Sequence, residues 1–363
     1  MRLSRLALTF ALPLGLLVAL PVSSVFAQIQ PQVSAGAATE TATLLSIVEE
    51  ARSLPGLRTL LIAHNGTLVV EEVFRGPPAN RPVNIKSASK TILSALVGIA
   101  IERGLLEGVD EPAVALLRAS APRDGDPRLA RITIGHLLSM RAGLERTSGA
   151  NYGPWIGSPD WVRFVLSRPF VDEPGGRMLY STGSSHLLSA ILTKTSRRST
   201  LALAREWLGA PLGIEIGTWT RDPQGIYLGG NEMALSPRAL LRFGEAYRQG
   251  GMIDGRRVVP KSWVEASWTP LTASPFTGDA YGYGWFIRQA GEHTIYYAWG
   301  YGGQMLYVVP SLGVSVVMTS DPSEPSGRTG YVRELHALLT DRILPAFGPD
   351  RRTSSERPPG RPL

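Results

Sequence analysis

The sequence predicts a mixed α/β (α+β) fold: one antiparallel sheet, built from both ends of the chain, flanked by helices and carrying a mostly helical inserted lobe. Three observations predict it. Strand patterns occur early, in one hairpin, and return only after residue 280. The intervening segment, about 104–250, has helical patterns and loops but no run of strands. A helical pattern follows the last strand, so both chain ends are expected to contribute to one sheet.

The first elements are a helix at 44–53 and a hairpin. Residues 57–64 and 67–74 have strand composition, and Asn65-Gly66 between them is the strongest short hairpin signal. A broadly apolar helical pattern then opens at Ser87.

The remaining elements divide between the inserted lobe and the late strands. The lobe has helical patterns at 133–139, 159–166, 184–195, 200–208 and 237–248. Late strand patterns lie at 283–288, 294–299, 304–309 and 314–319, with a turn at 310–313, and a terminal helix is predicted at about 331–344.

The two chain ends are predicted to lie outside the domain. Residues 1–27 combine two arginines, an apolar run interrupted by Pro13 and the small-residue end Val25-Phe26-Ala27, which is typical of a Sec-type signal peptide cleaved after Ala27. An uncleaved membrane anchor is the alternative. Residues 28–43 and 349–363 are small, polar or rich in Arg and Pro and are predicted to be disordered. The folded domain is then 44–348, and we expect a periplasmic or secreted protein.

Composition excludes several classes of function. The chain has no cysteine, hence no disulfide and no thiolate nucleophile. Its formal charge is +7, but the arginines are scattered among acids, which argues against nucleic-acid binding. No metal or phosphate motif occurs, so no cofactor, metal or membrane contact beyond the signal peptide is expected; the partner would be a small molecule, with the oligomeric state open. The five histidines are interpreted as structural, although a dispersed Ser-His-Asp triad stays open.

Ser87-Ala88-Ser89-Lys90 is the main candidate for a catalytic site. Only four of the 37 Lys and Arg residues are lysines, and one of these, Lys90, follows a serine by three positions. At the start of a helix Ser87 and Lys90 lie on one face, where the amine can take the hydroxyl proton. The positive helix end disfavours protonation of Lys90. By itself the spacing is equally compatible with an ordinary polar helix start.

Two further clusters are candidates. Tyr180, in the turn before a predicted helix, would relay protons between Ser87 and a leaving group, with a pKa lowered by a cationic Lys90; alternatively it packs the turn. The glycines around Gly300 and Tyr301 suggest close backbone approach to a ligand, or else a tight hairpin. Four aromatic residues are weaker candidates for pocket walls: Tyr152, Trp155, Trp285 and Trp299.

At these residues the chain resembles the serine β-lactamase-like family, the penicillin-recognising serine hydrolases. That family includes class C β-lactamases, DD-peptidases, related esterases and 6-aminohexanoate-dimer (nylon-oligomer) hydrolases. The resemblance covers about residues 45–345. Beyond the Ser-x-x-Lys segment it includes 132–144, the Pro-Gly approach to Tyr180, 241–244 and 281–285.

The resemblance implies a β-lactamase/DD-peptidase-like fold with Ser87 as the acylated nucleophile and Lys90 as its base. It places Tyr180 at the tyrosine of the family's Tyr-x-Asn motif, and the backbone N–H groups of Ser87 and Tyr301 as oxyanion donors. Two departures follow: Thr182 occupies the asparagine position, and the strand segment Ala298-Trp299-Gly300 lacks the expected Lys or His. Without that cation, a β-lactam or peptide carboxylate loses its anchor.

The expected function is therefore hydrolysis of an ester or amide through an acyl-enzyme, closest to the esterase and nylon-oligomer-hydrolase branch. Thr182 and Gly300 are expected to contact substrate. One alternative is a protein that binds cell-wall peptide or glycan on the same fold without turnover. A true β-lactamase is a third.

Overall fold

The computed structural model describes residues 35–327 and 329–348; the predicted signal peptide and the tail 349–363 lie outside these residues. The strands are β1 (Leu57–His64), β2 (Thr67–Val73), β3 (Val83–Asn84), β4 (Ala234–Leu235), β5 (Met252–Ile253), β6 (Arg256–Arg257), β7 (Thr272–Ala273), β8 (Ala280–Tyr281), β9 (Phe286–Ala290), β10 (His293–Gly300), β11 (Gln304–Val309) and β12 (Val314–Ser320).

The α-helices are α1 (Ala35–Ser53), α2 (Ser89–Glu102), α3 (Ile134–Leu138), α4 (Tyr152–Ile156), α5 (Trp161–Leu166), α6 (Thr182–Ser196), α7 (Thr200–Ala204), α8 (Ala210–Leu212), α9 (Pro237–Arg248), α10 (Lys261–Ser267) and α11 (Tyr331–Ala337). Short 3₁₀ segments lie at Lys86–Ala88, Ala113–Ser120, Pro127–Arg131, Gly149–Asn151, Pro310–Leu312 and Leu344–Phe347, and π-helical segments at Arg205–Gly209 and Leu338–Ile343. Among the described residues, none of the helices combines the length and the hydropathy needed to cross a bilayer.

One eight-stranded antiparallel sheet joins the two ends of the chain, in the order β2-β1-β12-β11-β10-β9-β8-β7. The early hairpin pairs with the last strand, with Leu61 opposite Val317. This arrangement confirms the predicted fold class. Strands β7 and β8 extend the sheet edge with two residues each, too short for a periodic pattern in the sequence to reveal.

The two faces of the sheet bury separate cores because side chains alternate along a strand. On β1, Leu61 and Ala63 belong to the core shared with the inserted lobe, whereas Leu60 and Ile62 face α1 and the C-terminal helical segment. Helix α2 lies in the first core and has buried residues on all sides, which explains its almost uninterrupted apolar sequence.

The N-terminal segment departs from its prediction. Residues 28–43 were expected to be disordered, but α1 begins at Ala35 and includes 35–43. Alanine is the strongest helix former, and the later turns of α1 bury Ile47, Val48 and Ala51 against the second core. The alanine-rich start therefore continues a helix that tertiary packing stabilises.

Candidate active site

Ser87 lies where the sheet meets the inserted lobe. It belongs to the 3₁₀ turn Lys86–Ala88, and α2 begins two residues later than predicted, at Ser89. The turn is anchored by the Ser89 hydroxyl, which donates to the Lys86 carbonyl at 2.7 Å. Lys86 has a left-handed backbone, with φ of +50°. A non-glycine residue there is uncommon, so the turn before Ser87 is held in a strained conformation.

The end of β10 packs directly against this turn. A Cβ atom on Gly300 would lie 2.3 Å from the Ile85 carbonyl oxygen and 3.1 Å from the Lys86 Cβ. Only glycine permits that approach, as the glycine density of 300–303 suggested. Tyr301 follows Gly300 in the turn between β10 and β11, and its ring is half-exposed.

The Lys90 amine lies within hydrogen-bond distance of three oxygen atoms. Its Nζ is 3.0 Å from Ser87 Oγ, 3.4 Å from Thr182 Oγ1 and 2.7 Å from the Gly230 carbonyl oxygen. A neutral amine can satisfy all three contacts, because it donates twice and accepts once: Gly230 and Thr182 receive its hydrogens and the Ser87 hydroxyl donates to its lone pair.

Burial sets the protonation of this amine. Lys90 is 4% exposed, and desolvation lowers its pKa from 10.5 to about 7. The helix end invoked from sequence is not the main cause. Near neutral pH a large fraction of the amine is thus unprotonated, which is the state a base requires.

The ring of Tyr180 lies near the Lys90 amine, with 5.0 Å between Nζ and the ring centre. The expectation of a lowered pKa for Tyr180 is wrong: burial raises it to about 12, and the interaction with the Ser87 side chain offsets only part of the rise. The phenol is therefore protonated at neutral pH and available as a proton donor. Its ring stacks on Phe286, with centroids 6.3 Å apart.

Thr182, which stands where the family resemblance expects an asparagine, forms a pair of hydroxyl groups with Ser148. Thr182 Oγ1 lies 3.2 Å from Ser148 Oγ as well as near Lys90, and the Thr182 N–H donates to Ser148 Oγ at 3.0 Å. Ser148 is half-buried. Ser148 is not predicted from the sequence, because nothing near it signals contact with a residue 34 positions later.

The loop that follows Tyr227 supplies the third contact of Lys90, through the Gly230 carbonyl, and this contact was also not predicted from the sequence. Gly230 has φ of +73°, and a Cβ there would lie 2.5 Å from Lys90 Cγ. Two residues on, Glu232 accepts from Lys86 Nζ at 2.8 Å and from the Asn84 side chain at 2.5 Å. The doublet Gly229-Gly230 is the signal that marks this close approach in the sequence.

For two of the four aromatic residues predicted to line the pocket, the prediction is wrong. Trp155 and Trp285 have no exposed surface. Trp155 packs between Trp161 and His186, and Trp285 stacks on Phe243, so both belong to the core and cannot contact a ligand.

The other two aromatics are half-buried. The Tyr152 hydroxyl accepts from the Asn231 side chain at 2.8 Å, and Trp299 packs against Phe286 with ring centroids 5.9 Å apart. A better exposed ring, unrecognised in the sequence, is Phe276, which is 53% exposed and meets Tyr180 edge-on at 6.3 Å.

The histidines do not complete a triad with Ser87. His186 pairs with Asp222 in the core at 3.0 Å, and its other ring nitrogen accepts from the Gly229 backbone N–H. Among the residues described, no three side chains of the His, Asp or Glu type are grouped as metal ligands would be. The groups that the described residues bring together around Ser87 are its hydroxyl, the Lys90 amine and the Tyr180 phenol.

Solved structures of known proteins share the fold of this chain. The Bacillus anthracis protein named "Putative 6-aminohexanoate-dimer hydrolase" superimposes with a TM-score of 0.67 at 19% identity, over 83% of this chain and 80% of that one. "EstCE1, a hydrolase with promiscuous acyltransferase activity" gives a TM-score of 0.67 at 19% identity, over 85% and 98%. At these identities the likeness concerns the fold.

A curated relative is more alike in sequence but over a shorter stretch. The Dichelobacter nodosus protein named "Probable fimbrial assembly protein FimD, serogroup H1" is 29% identical over 178 residues, 45% of this chain. The match spans 43% of that protein, less than half of its length.

The family model described as Beta-lactamase matches residues 44–339, which include the Ser87 turn, Tyr180, the Gly230 loop and all eight strands of the sheet. The chain therefore belongs to the Beta-lactamase family, on the fold of the β-lactamase-like serine hydrolases.

Proposed function

We propose that this protein is a serine hydrolase that cleaves an ester or amide through an acyl-enzyme on Ser87. The observation that carries the proposal is the 3.0 Å contact between Lys90 Nζ and Ser87 Oγ, made by an amine whose pKa burial lowers to about 7. An amine that is largely neutral at working pH and hydrogen-bonded to a hydroxyl is the arrangement that activates a serine nucleophile.

In the acylation step the Ser87 proton passes to Lys90 Nζ while Oγ bonds to the substrate carbonyl carbon. The backbone N–H groups of Ser87 and Tyr301 would stabilise the oxyanion that forms. The contact of Gly300 with the Ile85 carbonyl supports this assignment, since it holds the Tyr301 turn beside the Ser87 turn.

Collapse of the tetrahedral intermediate breaks the bond to the leaving group, which takes a proton. Tyr180 is the proposed donor, because its phenol interacts with Ser87 and its pKa of about 12 keeps it protonated. Lys90 Nζ then passes the proton that it took from Ser87 to the Tyr180 oxygen, which restores the phenol. In deacylation a water molecule gives a proton to the Lys90 and Tyr180 pair as it attacks the acyl carbon. The pair returns that proton to Ser87 Oγ when the bond between Oγ and the acyl carbon breaks, which releases the acid and restores the serine.

Substrate contacts are proposed on both sides of Ser87. Thr182 and Ser148 offer hydroxyl groups where the family motif has an amide. Tyr152, Trp299, Gly300 and the exposed rings of Phe276 and Tyr301 are candidates for the walls. Residues 298–303 contain no cation, so a carboxylate next to the scissile bond has no charged partner on that strand, and little nitrocefin hydrolysis is expected.

The test is hydrolysis of p-nitrophenyl butyrate by the purified protein and two lysine variants. Lys90→Ala should lose at least 100-fold in kcat/KM, whereas Lys194→Ala, which removes an exposed lysine at the end of α6, should behave as wild type. Equal turnover by wild type and Lys90→Ala would refute the mechanism. Absence of turnover with a panel of esters and amides, in a folded protein that binds cell-wall fragments, would instead favour the non-catalytic alternative.

The proposed site of action is the periplasm or the outside of the cell. The motivation is the signal-peptide pattern of residues 1–27. Mass spectrometry of the protein from an exporting host should find an N-terminus at Gln28; an intact N-terminus in a cytosolic fraction would contradict export.

A further inference from the structure

A buried histidine–carboxylate pair lies one helical turn beyond Thr182 on α6. His186 Nε2 is 3.0 Å from Asp222 Oδ2, and neither side chain has exposed surface. The rings of Trp155 and Trp161 meet the imidazole edge-on, at 5.8 and 5.5 Å. Nothing in the proposed reaction uses these two groups directly, and their burial requires that their polar atoms be hydrogen-bonded.

Asp222 organises the loop that follows it. Its second carboxylate oxygen accepts the backbone N–H groups of Gln224 and Ile226 at 2.9 and 2.8 Å. The carboxylate thus links the start of this loop to α6 through His186.

His186 also holds the end of the same loop. Its Nδ1 accepts the Gly229 N–H at 3.4 Å, which leaves the ring proton on Nε2 to be donated to Asp222. Gly229 lies against α6 so closely that a Cβ would be 2.2 Å from the Ser185 carbonyl oxygen. The loop backbone is therefore fixed on α6 immediately before Gly230.

The next peptide makes the shortest contact of the Lys90 amine, 2.7 Å from Nζ to the Gly230 carbonyl oxygen. Resting on the proposed function, we propose that His186 and Asp222 are positioning residues: they hold the Gly230 carbonyl against Lys90, and through it hold the amine on Ser87. If the loop were released, water would reach the amine and its direction toward Ser87 would be lost.

The variants are His186→Ala, which removes both hydrogen bonds, and His186→Asn, whose side-chain oxygen can replace Nδ1 as acceptor for Gly229. His336→Ala is a matched control, because His336 is also buried, at 4% exposed, but bonds to Tyr307 on the other side of the sheet. All are made in the full chain, and the melting temperature is recorded for each.

The primary readout is the titration of Lys90 by NMR of lysine labelled with carbon-13 at Cε, which needs no turnover. The chain has only four lysines, so Lys90→Met assigns the signal. Tyr180, the titratable group facing Lys90, stays protonated over this range because its pKa is about 12. The second readout is the rate constant and the half-saturating concentration for acylation of Ser87 by a fluorophosphonate.

In His186→Ala the Lys90 pKa should rise by at least half a pH unit, because water admitted to the amine relieves its desolvation. The acylation rate constant at pH 7 should fall at least tenfold, while the half-saturating concentration stays within twofold of wild type. His186→Asn should recover part of the Lys90 pKa and part of the rate constant. His336→Ala should lower the melting temperature and change neither readout. The proposal is overturned if Lys90 titrates as in wild type in both His186 variants, or if His336→Ala produces the same change. If Ser87 is not acylated in wild type, the hydrolase proposal fails while the NMR titration still decides this one.

Discussion

The Gly230 carbonyl oxygen accepts a hydrogen bond from Lys90 Nζ at 2.7 Å, closer than the 3.0 Å between that amine and Ser87 Oγ. A backbone oxygen from the inserted lobe is thus the nearest partner of an amine carried by α2. Burial disfavours the charged form of Lys90. The contacts with the Gly230 carbonyl and the Ser87 hydroxyl, which carry no charge, therefore set the direction of the amine and do not compensate a charge on it. Small displacements of the loop should then affect chemistry more than stability.

Substitution of Gly230 tests this coupling. An alanine Cβ would lie 2.5 Å from Lys90 Cγ, so Gly230→Ala should displace the amine and lower kcat for p-nitrophenyl butyrate at least tenfold. Gly250→Ala is the control, because its φ of +63° carries a similar backbone cost and nothing lies within 4 Å of the added methyl. Equal activity loss in the two variants would show that strain alone is responsible.

The pH dependence of acylation should follow Lys90. The neutral amine is the active form, so the rate should rise with pH and reach half its plateau near pH 7, the pKa to which burial lowers Lys90. Deprotonation of Tyr180 should not lower the acylation rate below about pH 11, since the pKa of this phenol is raised to about 12. Stopped-flow acylation between pH 5 and 10 measures the profile; half-maximal acylation above pH 9 would mean that Lys90 is not the base.

Removing the phenol oxygen of Tyr180 should impair catalysis and preserve the fold. Tyr180→Phe retains the ring contacts with Phe276, Tyr281 and Phe286 but loses the hydroxyl that interacts with Ser87. We expect kcat to fall by ~10² to 10⁴, the usual contribution of general acid–base catalysis. Esters with better leaving groups should lose less, and a uniform loss across leaving groups would argue against Tyr180 as the proton donor.

Replacing Lys90 by methionine should stabilise the protein in a pH-dependent way. Between pH 7 and 10.5 the unfolded chain binds a proton at Lys90 that the folded chain does not, so wild-type stability rises with pH over that interval. The gain in unfolding free energy from Lys90→Met should therefore be ~2 kcal/mol larger at pH 7 than at pH 9. Urea unfolding at both pH values measures it; a gain independent of pH would mean that Lys90 titrates normally.

The exposed ring of Phe276 should affect the choice of acyl group. If the acyl chain packs on this ring, Phe276→Ala should raise KM for p-nitrophenyl hexanoate several-fold and leave the acetate ester unchanged, since each CH₂ removed from water contributes ~0.8 kcal/mol. Leu68→Ala, which removes an exposed side chain on the far edge strand β2, is the control. An unchanged hexanoate-to-acetate ratio would exclude this ring from the acyl site.

The parts of the fold that sequence predicts well are those coded locally. Asn65 and Gly66 both adopt positive φ, +49° and +86°, as a two-residue hairpin turn demands, and the flanking strands are found where predicted. Helix α9 spans Pro237–Arg248, as the helical pattern at 237–248 predicts, and the structure shows that the Ser236 side chain caps its start. The spacing of Ser87 and Lys90 likewise needs only one helical turn.

Contacts made by distant segments could not be predicted in this way. Gly230 meets Lys90 across 140 positions and Ser148 meets Thr182 across 34. The Gly229-Gly230 doublet marks a close backbone approach, but no local pattern specifies which residue it approaches, and nothing marks Ser148. The prediction that Trp155 and Trp285 line the pocket was wrong. The sequence pattern of an aromatic residue is the same in a core and in a pocket wall, and only its three-dimensional neighbours distinguish the two. The family resemblance supplied the order of the site residues but not the loop that positions the amine.

Whether Lys90 activates Ser87 is tested most directly by covalent labelling of the purified protein with a fluorophosphonate at pH 8, followed by peptide mass spectrometry. One adduct is expected, on Ser87, formed rapidly in wild type, at least 100-fold more slowly in Lys90→Ala and not at all in Ser87→Ala. An adduct that persists in Ser87→Ala, or labelling that is as fast without Lys90 as with it, would contradict an activated serine at this site.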